Sequence, residues 1–429
     1  MSNNIKKQRF DTLLTHAGYQ PGEHNHSIQV PIYQTTAFDL ESPERADRLA
    51  TFEELGYMYS RMSNPTLAAL ESRVSALDGG VVGVAVGSGM AAVTNAILNA
   101  AEGGRLLAAG QIYGGTYDAY KRIYPRLNVQ VDIVDDINNL EAVEKAIQAD
   151  TKAIFIESIT NPTVAITDIE AIAKLAHKNG LPLIVDNSLA TPYLLNPIQY
   201  GADVVVYSAT KALSGHGSVI GGLVIDAGKF DWTTSRHPQF TDDIPIMIGK
   251  SFAEAFPQFP FAGRLRINYL VQLGAVLGPF DAYLILQGIE TLSERLKKQS
   301  ESALKVAQFL SSHPKVSTVN YSALPDSKYH ALAEKYLPKG AGGILSFGYK
   351  GDDEGIYKFI NALKLFSFHP NLGDARSLII NSPKTTHKEL THEEQARVGI
   401  FPELIRLSIG LEDADDLIED LKQALEVNN

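Results

Sequence analysis

No cysteine occurs among the 429 residues, which excludes disulfides, thiolate metal sites and cysteine nucleophiles and agrees with a reducing, cytoplasmic setting. No apolar stretch approaches membrane-spanning length, so no membrane partner is expected. The amino terminus, Met1 to Phe10 with Lys6, Lys7 and Arg9, has no apolar segment behind it, and no signal peptide is readable. Basic runs are missing as well. The formal net charge is −11 with both signs interspersed, a surface that nucleic acid or an anionic membrane would meet poorly. What remains is an ordinary globular composition, 45% hydrophobic and 20% charged, in a chain long enough for two or three domains.

Residues 1–64 carry Pro21, Gly22, Pro31 and Pro43 among aromatic and polar residues and read as an irregular arm that packs on another domain or subunit. From Pro65 the pattern becomes alternating helices and buried strands. Strands are expected at 81–86, 105–109, 129–134, 153–157, 183–186, 204–207 and 222–225, with amphipathic helices between them. Strands apolar on both faces imply a mostly parallel sheet covered on both sides, an α/β domain spanning 65–280. Residues 230–261 form a long aromatic and proline-rich loop, a length usually reserved for function. A helical pattern runs from 270 to 310. A smaller α+β unit completes 281–429, with strands near 316–321, 344–349, 377–380 and 405–409.

Several short segments carry chemistry. Ser208-Ala209-Thr210-Lys211 follows a buried strand, where α/β proteins bind ligands; a desolvated lysine there would attack a carbonyl, and a solvated loop lysine is the plain alternative. The strand at 183–185 ends in Asp186, which needs a charged or donor partner: a protonated pyridine nitrogen, or a backbone cap. Gly87-Ser88-Gly89-Met90 opens a helix and could hold an anion, although tight turns need glycine anyway. Tyr113 in Tyr113-Gly114-Gly115-Thr116 could stack on a flat ring or sit idle on the surface. Arg61, within Tyr59 to Thr66, suits phosphate or carboxylate, while Asn64-Pro65-Thr66 also reads as a helix entry. Arg406, inside an apolar strand, requires an anionic partner, and a ligand carboxylate would serve.

Together, Tyr59 to Thr66, Gly87 to Met90, Tyr113 to Thr116, Glu157 to Pro162, Asp186, Ser208 to Lys211 and Leu404 to Glu412 resemble the Cys/Met-metabolism family of pyridoxal-phosphate (PLP) enzymes, in the family's order and over nearly the whole chain. The resemblance implies fold type I, aminotransferase-like architecture and a homotetramer of two tight dimers. It implies that Lys211 carries the cofactor, that Asp186 pairs with the pyridine nitrogen and that Tyr113 stacks on the ring. Ser88, Gly89, Met90, Ser208 and Thr210 would bind the phosphate, joined by Tyr59 and Arg61 from the neighbouring subunit, so that active sites are shared. Arg406, with Asn161 and the backbone at Ser377, would hold the carboxylate of a small amino-acid substrate, and Asn161 would also contact the cofactor.

Within the family, Gly115 stands where methionine γ-lyases carry cysteine. The insert at 229–261 and the segment Leu372-Gly373-Asp374-Ala375-Arg376-Ser377-Leu378-Ile379 are similar to the O-acetylhomoserine sulfhydrylase branch. That similarity implies γ-replacement on O-acetyl-L-homoserine with sulfide or methanethiol, giving homocysteine or methionine plus acetate; cystathionine γ-synthase or a γ-lyase (cystathionine or methionine) is the alternative. Two departures stand out. The branch pattern His-Pro-Ala-Ser-Thr-Thr-His reads here Asn381-Ser382-Pro383-Lys384-Thr385-Thr386-His387, close behind the carboxylate-binding strand. Gln299 and Ser302 replace a His and an Asn.

Overall fold

Runs of valine, isoleucine and leucine with no polar face can be buried only inside a sheet covered on both sides, and that is where they lie. In a computed structural model describing residues 8–245 and 248–427, seven strands form one sheet. They are β1 (Val82–Val86), β2 (Arg105–Ala109), β3 (Gln130–Val134), β4 (Thr151–Glu157), β5 (Leu183–Asp186), β6 (Val204–Ser208) and β7 (Gly222–Asp226). Their spatial order is β1-β7-β6-β5-β4-β2-β3, with β7 alone antiparallel to its neighbours. The parallel strands therefore end together, and β4, β5 and β6 deliver Glu157, Asp186 and Ser208 to one edge.

A second sheet, in the order β10-β11-β12-β9-β8, is built from β8 (Val316–Asn320), β9 (Ile344–Tyr349), β10 (Ser367–Phe368), β11 (Leu378–Asn381) and β12 (Leu404–Ser408). It is antiparallel except for β10 with β11. Arg406 lies on its central strand, paired with Ile380 on one side and Ser346 on the other.

Some expectations require correction. The arm is not wholly irregular: α1 (Phe10–His16) and α2 (Pro43–Ala50) form within it, and residues 1–7 lie outside the described residues. α1 buries Leu13 and Leu14, and Arg73 of α3 (Pro65–Asp78) donates to Ala17 O at 2.9 Å, so tertiary contact fixes a helix too short to persist alone. The pattern from 270 to 310 is interrupted: a π-helical stretch, Leu265–Val271, precedes separate helices at Pro279–Ile289 and Leu292–Ser312. The first of these runs through the domain boundary expected at 280 and packs on α3.

The long insert packs its aromatic rings into the core. Trp232 stacks on Phe261 at 4.7 Å and packs against Phe240, all three rings buried. His237 Nε2 lies 2.9 Å from Lys152 O, and Gln239 donates to the carbonyls of Asn99 and Ala100. Lys152 stands at the beginning of β4, whereas Glu157 stands at its end. The insert thus closes the end of the sheet away from Asp186 and Ser208; its residues 246–247 lie outside the described residues.

Candidate active site

At the carboxyl edge of the large sheet a cavity of about 250 Å³ is lined by Ser88, Gly89, Met90, Tyr113, Asn161, Asp186, Ser208, Thr210, Lys211 and Arg406, among others. Residues read from six separate segments of sequence therefore meet at one place. Parallel pairing explains how: Glu157 is opposite Asp186 in the β4–β5 register, and Lys211 follows β6 by one short turn.

Lys211 Nζ donates to Asn371 Oδ1 at 2.7 Å. Burial, and then the charge of Arg406, bring its pKa down to about 8, against a smaller opposing pull from Asp374. An amine so placed is a competent nucleophile toward a carbonyl and a base in the neutral range.

Arg406 is 2% exposed. Its Nη1 donates to Asn161 Oδ1 at 2.9 Å and its Nη2 to Asn371 O at 2.8 Å, while Nε has no partner. Burial lowers its pKa to about 10, which leaves the guanidinium charged. No carboxylate pairs with it among the described residues. A buried cation held by neutral groups, with one donor idle, is a site for an anion.

Asp186 accepts from Ser188 N at 2.9 Å and has no cationic partner among the described residues. Burial raises its proton affinity. Glu157 beside it is raised for the same reason and by the charge of Asp186. Two adjacent buried carboxyls do not both ionise without a cation between or beyond them. A pyridinium nitrogen at Asp186 would supply one.

On the opposite wall, Ser88 caps α4 (Gly89–Ala101), its side chain accepting from Ala91 N at 3.1 Å. The first N–H groups of α4 point toward the cavity with the helix's positive end behind them. Gly89 is required by contact: a Cβ there would lie 2.5 Å from Ser208 Cβ. Thr210 exchanges hydrogen bonds with Gly221, so its hydroxyl is already oriented. Amine, acid, anion-binding helix start and buried guanidinium together fit a phosphorylated aromatic aldehyde carrying an amino-acid substrate.

Some expected residues lie elsewhere. Ser377 is fully buried outside the cavity, with its N–H given to Glu412 Oε1 at 2.7 Å and its hydroxyl shared between Glu412 and Gly410 N. Its N–H already has a carboxylate, so it cannot serve a second one, and Asn371 occupies the place expected for it beside Arg406. Tyr59 and Arg61 do not line this chain's cavity; they are exposed, with the guanidinium 5.4 Å from the tyrosine ring centroid. The departure at Asn381 is also remote: its amide donates to Pro402 O and Leu404 O, and of that segment Thr386 alone lines the cavity. Gln299 donates to Asp374 O at 2.9 Å, behind the loop that carries Asn371.

Asn371, Ser188, His387 and Glu157, to which the sequence alone assigns no role, also bear on the site. Ser188 Oγ accepts from Ser208 N at 2.6 Å, joining the ends of β5 and β6. A serine two positions after a strand-end aspartate was the available signal. Asn371 had none beyond its position next to the Leu372–Ile379 segment.

Residues 11–426 match the family model described as Cys/Met metabolism PLP-dependent enzyme. O-acetyl-L-homoserine sulfhydrylase of Leptospira meyeri is 42% identical over 99% of this chain and 98% of its own. Homocysteine synthase of Schizosaccharomyces pombe is 42% identical, covering 99% of each. A Campylobacter jejuni structure described as an O-acetylhomoserine (thiol)-lyase, with a pyridoxyl-lysine phosphate, superposes with a TM-score of 0.94 at 41% identity, over 98% of this chain and all of that one.

Proposed function

The chain belongs to the Cys/Met-metabolism family of PLP-dependent enzymes, and from that premise we propose that it catalyses γ-replacement on O-acetyl-L-homoserine. Sulfide gives homocysteine and acetate; methanethiol gives methionine and acetate. The observation that carries the reading is the convergence of Lys211, Asp186 and Arg406 on one cavity, in a chain whose full-length relatives are named for this substrate.

On this reading Lys211 Nζ would hold the cofactor, Asp186 would pair with its ring nitrogen and the Tyr113 ring would stack on it. The start of α4 at Gly89 and Met90 holds the phosphate with Ser88, Ser208 and Thr210. The partner subunit's Tyr59 and Arg61 complete that site in a homotetramer assembled from two dimers, in the cytoplasm. Arg406, steadied by Asn161 and Asn371, takes the substrate carboxylate.

Bound there, pyridoxal phosphate supplies an aldehyde for the substrate amine and a protonated ring that draws electrons from the α-carbon. Lys211 takes the proton from Cα; with a pKa of about 8 its amine is neutral often enough near pH 7 to do so. Once Nζ has passed that proton on to the cofactor's aldehyde carbon it would be neutral again and could take one from Cβ, letting acetate leave from Cγ with the Tyr113 hydroxyl assisting as acid. Thiol sulfur then bonds to Cγ, and Lys211 returns protons to Cβ and Cα. One C–O bond breaks, one C–S bond forms, and the thiol proton leaves with acetate.

The direct test incubates the purified enzyme with O-acetylhomoserine and sulfide and follows homocysteine, with parallel assays for keto acid from methionine and from cystathionine. Homocysteine should dominate. Keto acid release as the main activity would replace this reading with a γ-lyase.

A further inference from the structure

Behind the Tyr113 and Asn161 wall of the cavity, two buried side chains grip the same pair of backbone segments from opposite sides. Glu157 Oε1 accepts from Tyr113 N at 2.8 Å, and its Oε2 accepts from Asn161 N at 3.1 Å. His387, from the loop after β11, places Nε2 3.0 Å from Asn161 O and 3.3 Å from Ile112 O. Its Nδ1 lies 3.0 Å from Thr386 Oγ1.

Carbonyl oxygens only accept, so Nε2 carries the proton and the Thr386 hydroxyl donates to Nδ1. Burial, with the charge of Arg406, holds the imidazole pKa down to about 4, so this tautomer persists over the neutral range. The approach is close: a Cβ on Gly114 would stand 2.3 Å from Thr386 O, so only glycine lets the helix Gly114–Arg122 begin against this loop. His387 thereby joins a loop of the small sheet to both segments of the large one, and Asn161, once gripped, presents its Oδ1 to Arg406.

We infer that His387 is a positioning residue for the substrate-carboxylate site: its Nε2–H fixes the carbonyl of Asn161, Glu157 fixes that residue's N–H, and the amide between them sets where Arg406 points. The inference rests on the reading that Arg406 takes the carboxylate. It assigns His387 no contact with substrate and no proton transfer.

The test compares His387→Leu, which removes the donor, with His387→Gln, which returns one, as holoenzymes. KM and kcat are measured for each substrate, together with circular dichroism of the cofactor band and Tm. In His387→Leu the KM for O-acetylhomoserine should rise about tenfold, the size expected when a buried carbonyl loses its donor. The KM for sulfide should stay, and His387→Gln should recover most of the loss. The inference is overturned if the leucine variant keeps its KM, if glutamine does no better than leucine, or if both substrates weaken in step with Tm. Should the leucine variant not fold, His387→Asn, too short to reach both carbonyls, takes its place against His387→Gln with the same outcomes. Arg406→Lys is measured alongside. If it raises that KM and the His387 variants do not, this inference alone fails; if it leaves KM unchanged, the carboxylate reading fails with it.

Discussion

Lys211 Nζ is bonded to the side-chain oxygen of Asn371, and the backbone oxygen of the same asparagine accepts from Arg406. One residue thus holds the amine at the end of β6 and the guanidinium of β12, two cations from different sheets. A neutral amide separates them, so neither charge is cancelled. Burial first, and then the guanidinium's charge, make the lysine lose its proton more readily, while the arginine keeps its charge with no anionic partner among the described residues.

Lys211 is the one residue the proposed reaction uses both as anchor and as base. Lys211→Ala should lower turnover by more than about 10³-fold, because covalent attachment and proton transfer are lost together. The visible absorbance of the bound cofactor should vanish from purified protein after desalting. A fully active, coloured variant would remove the basis of the mechanism.

The lowered lysine pKa also has a stability consequence in the cofactor-free protein. Between about pH 8 and the ordinary value of 10.5 the unfolded chain binds a proton at Lys211 that the folded chain does not, so folding stability rises with pH across that window. Below pH 8 the penalty is complete, a few kcal/mol in size. Denaturant melts of apoprotein from pH 7 to 10 should show wild type gaining on Lys211→Met. Parallel curves would count against the depressed pKa.

Much of this site could be read from the sequence because β5 and β6 are uniformly apolar and then stop at Asp186 and Ser208, a contrast visible without any structure. The contacts that failed to show are those made at long range. Asn371 reaches Lys211 across 160 residues, and His387 reaches Asn161 across 226; no local pattern marks either. Ser377 illustrates the converse: its own segment suggests a carboxylate ligand, whereas Glu412, 35 residues away, claims its N–H. α1 leaves no mark in the sequence because two turns carry little periodicity, and its stability comes from α3. The insert looked functional by length, whereas its buried aromatics, Trp232, Phe240 and Phe261, are a packing signature.

Glu157 and Asp186 predict a pH-dependent gain from ligand. Folded, the pair retains a proton that the unfolded chain releases at its ordinary values of 4.5 and 3.8. That contribution to stability is complete below about pH 4 and is lost as pH rises through the raised folded values. A ring cation beside Asp186 offsets the loss. Pyridoxine phosphate, which has ring and phosphate but no aldehyde for Lys211, should therefore raise Tm more at pH 8 than at pH 5, and Asp186→Asn should flatten the difference. An equal Tm gain at both pH values in wild type would show that the ring nitrogen does not meet this pair.

The exposed Tyr59 and Arg61 give the sharpest test of assembly. If each phosphate site takes Arg61 from the neighbouring chain, Lys211→Ala and Arg61→Ala subunits are defective at different places of the shared site. In a mixed dimer one site then collects both defects and the other collects none. Each variant alone should be nearly inactive, yet denaturing and refolding an equal mixture should restore about a quarter of wild-type activity, since half the dimers are mixed and each has one intact site. If Arg61 instead served its own chain, both sites of every mixed dimer would carry a defect and mixing would restore nothing. Activity against the mixing ratio should peak at equal amounts, because that is where mixed dimers are most frequent; a flat line would place Arg61 outside the shared site.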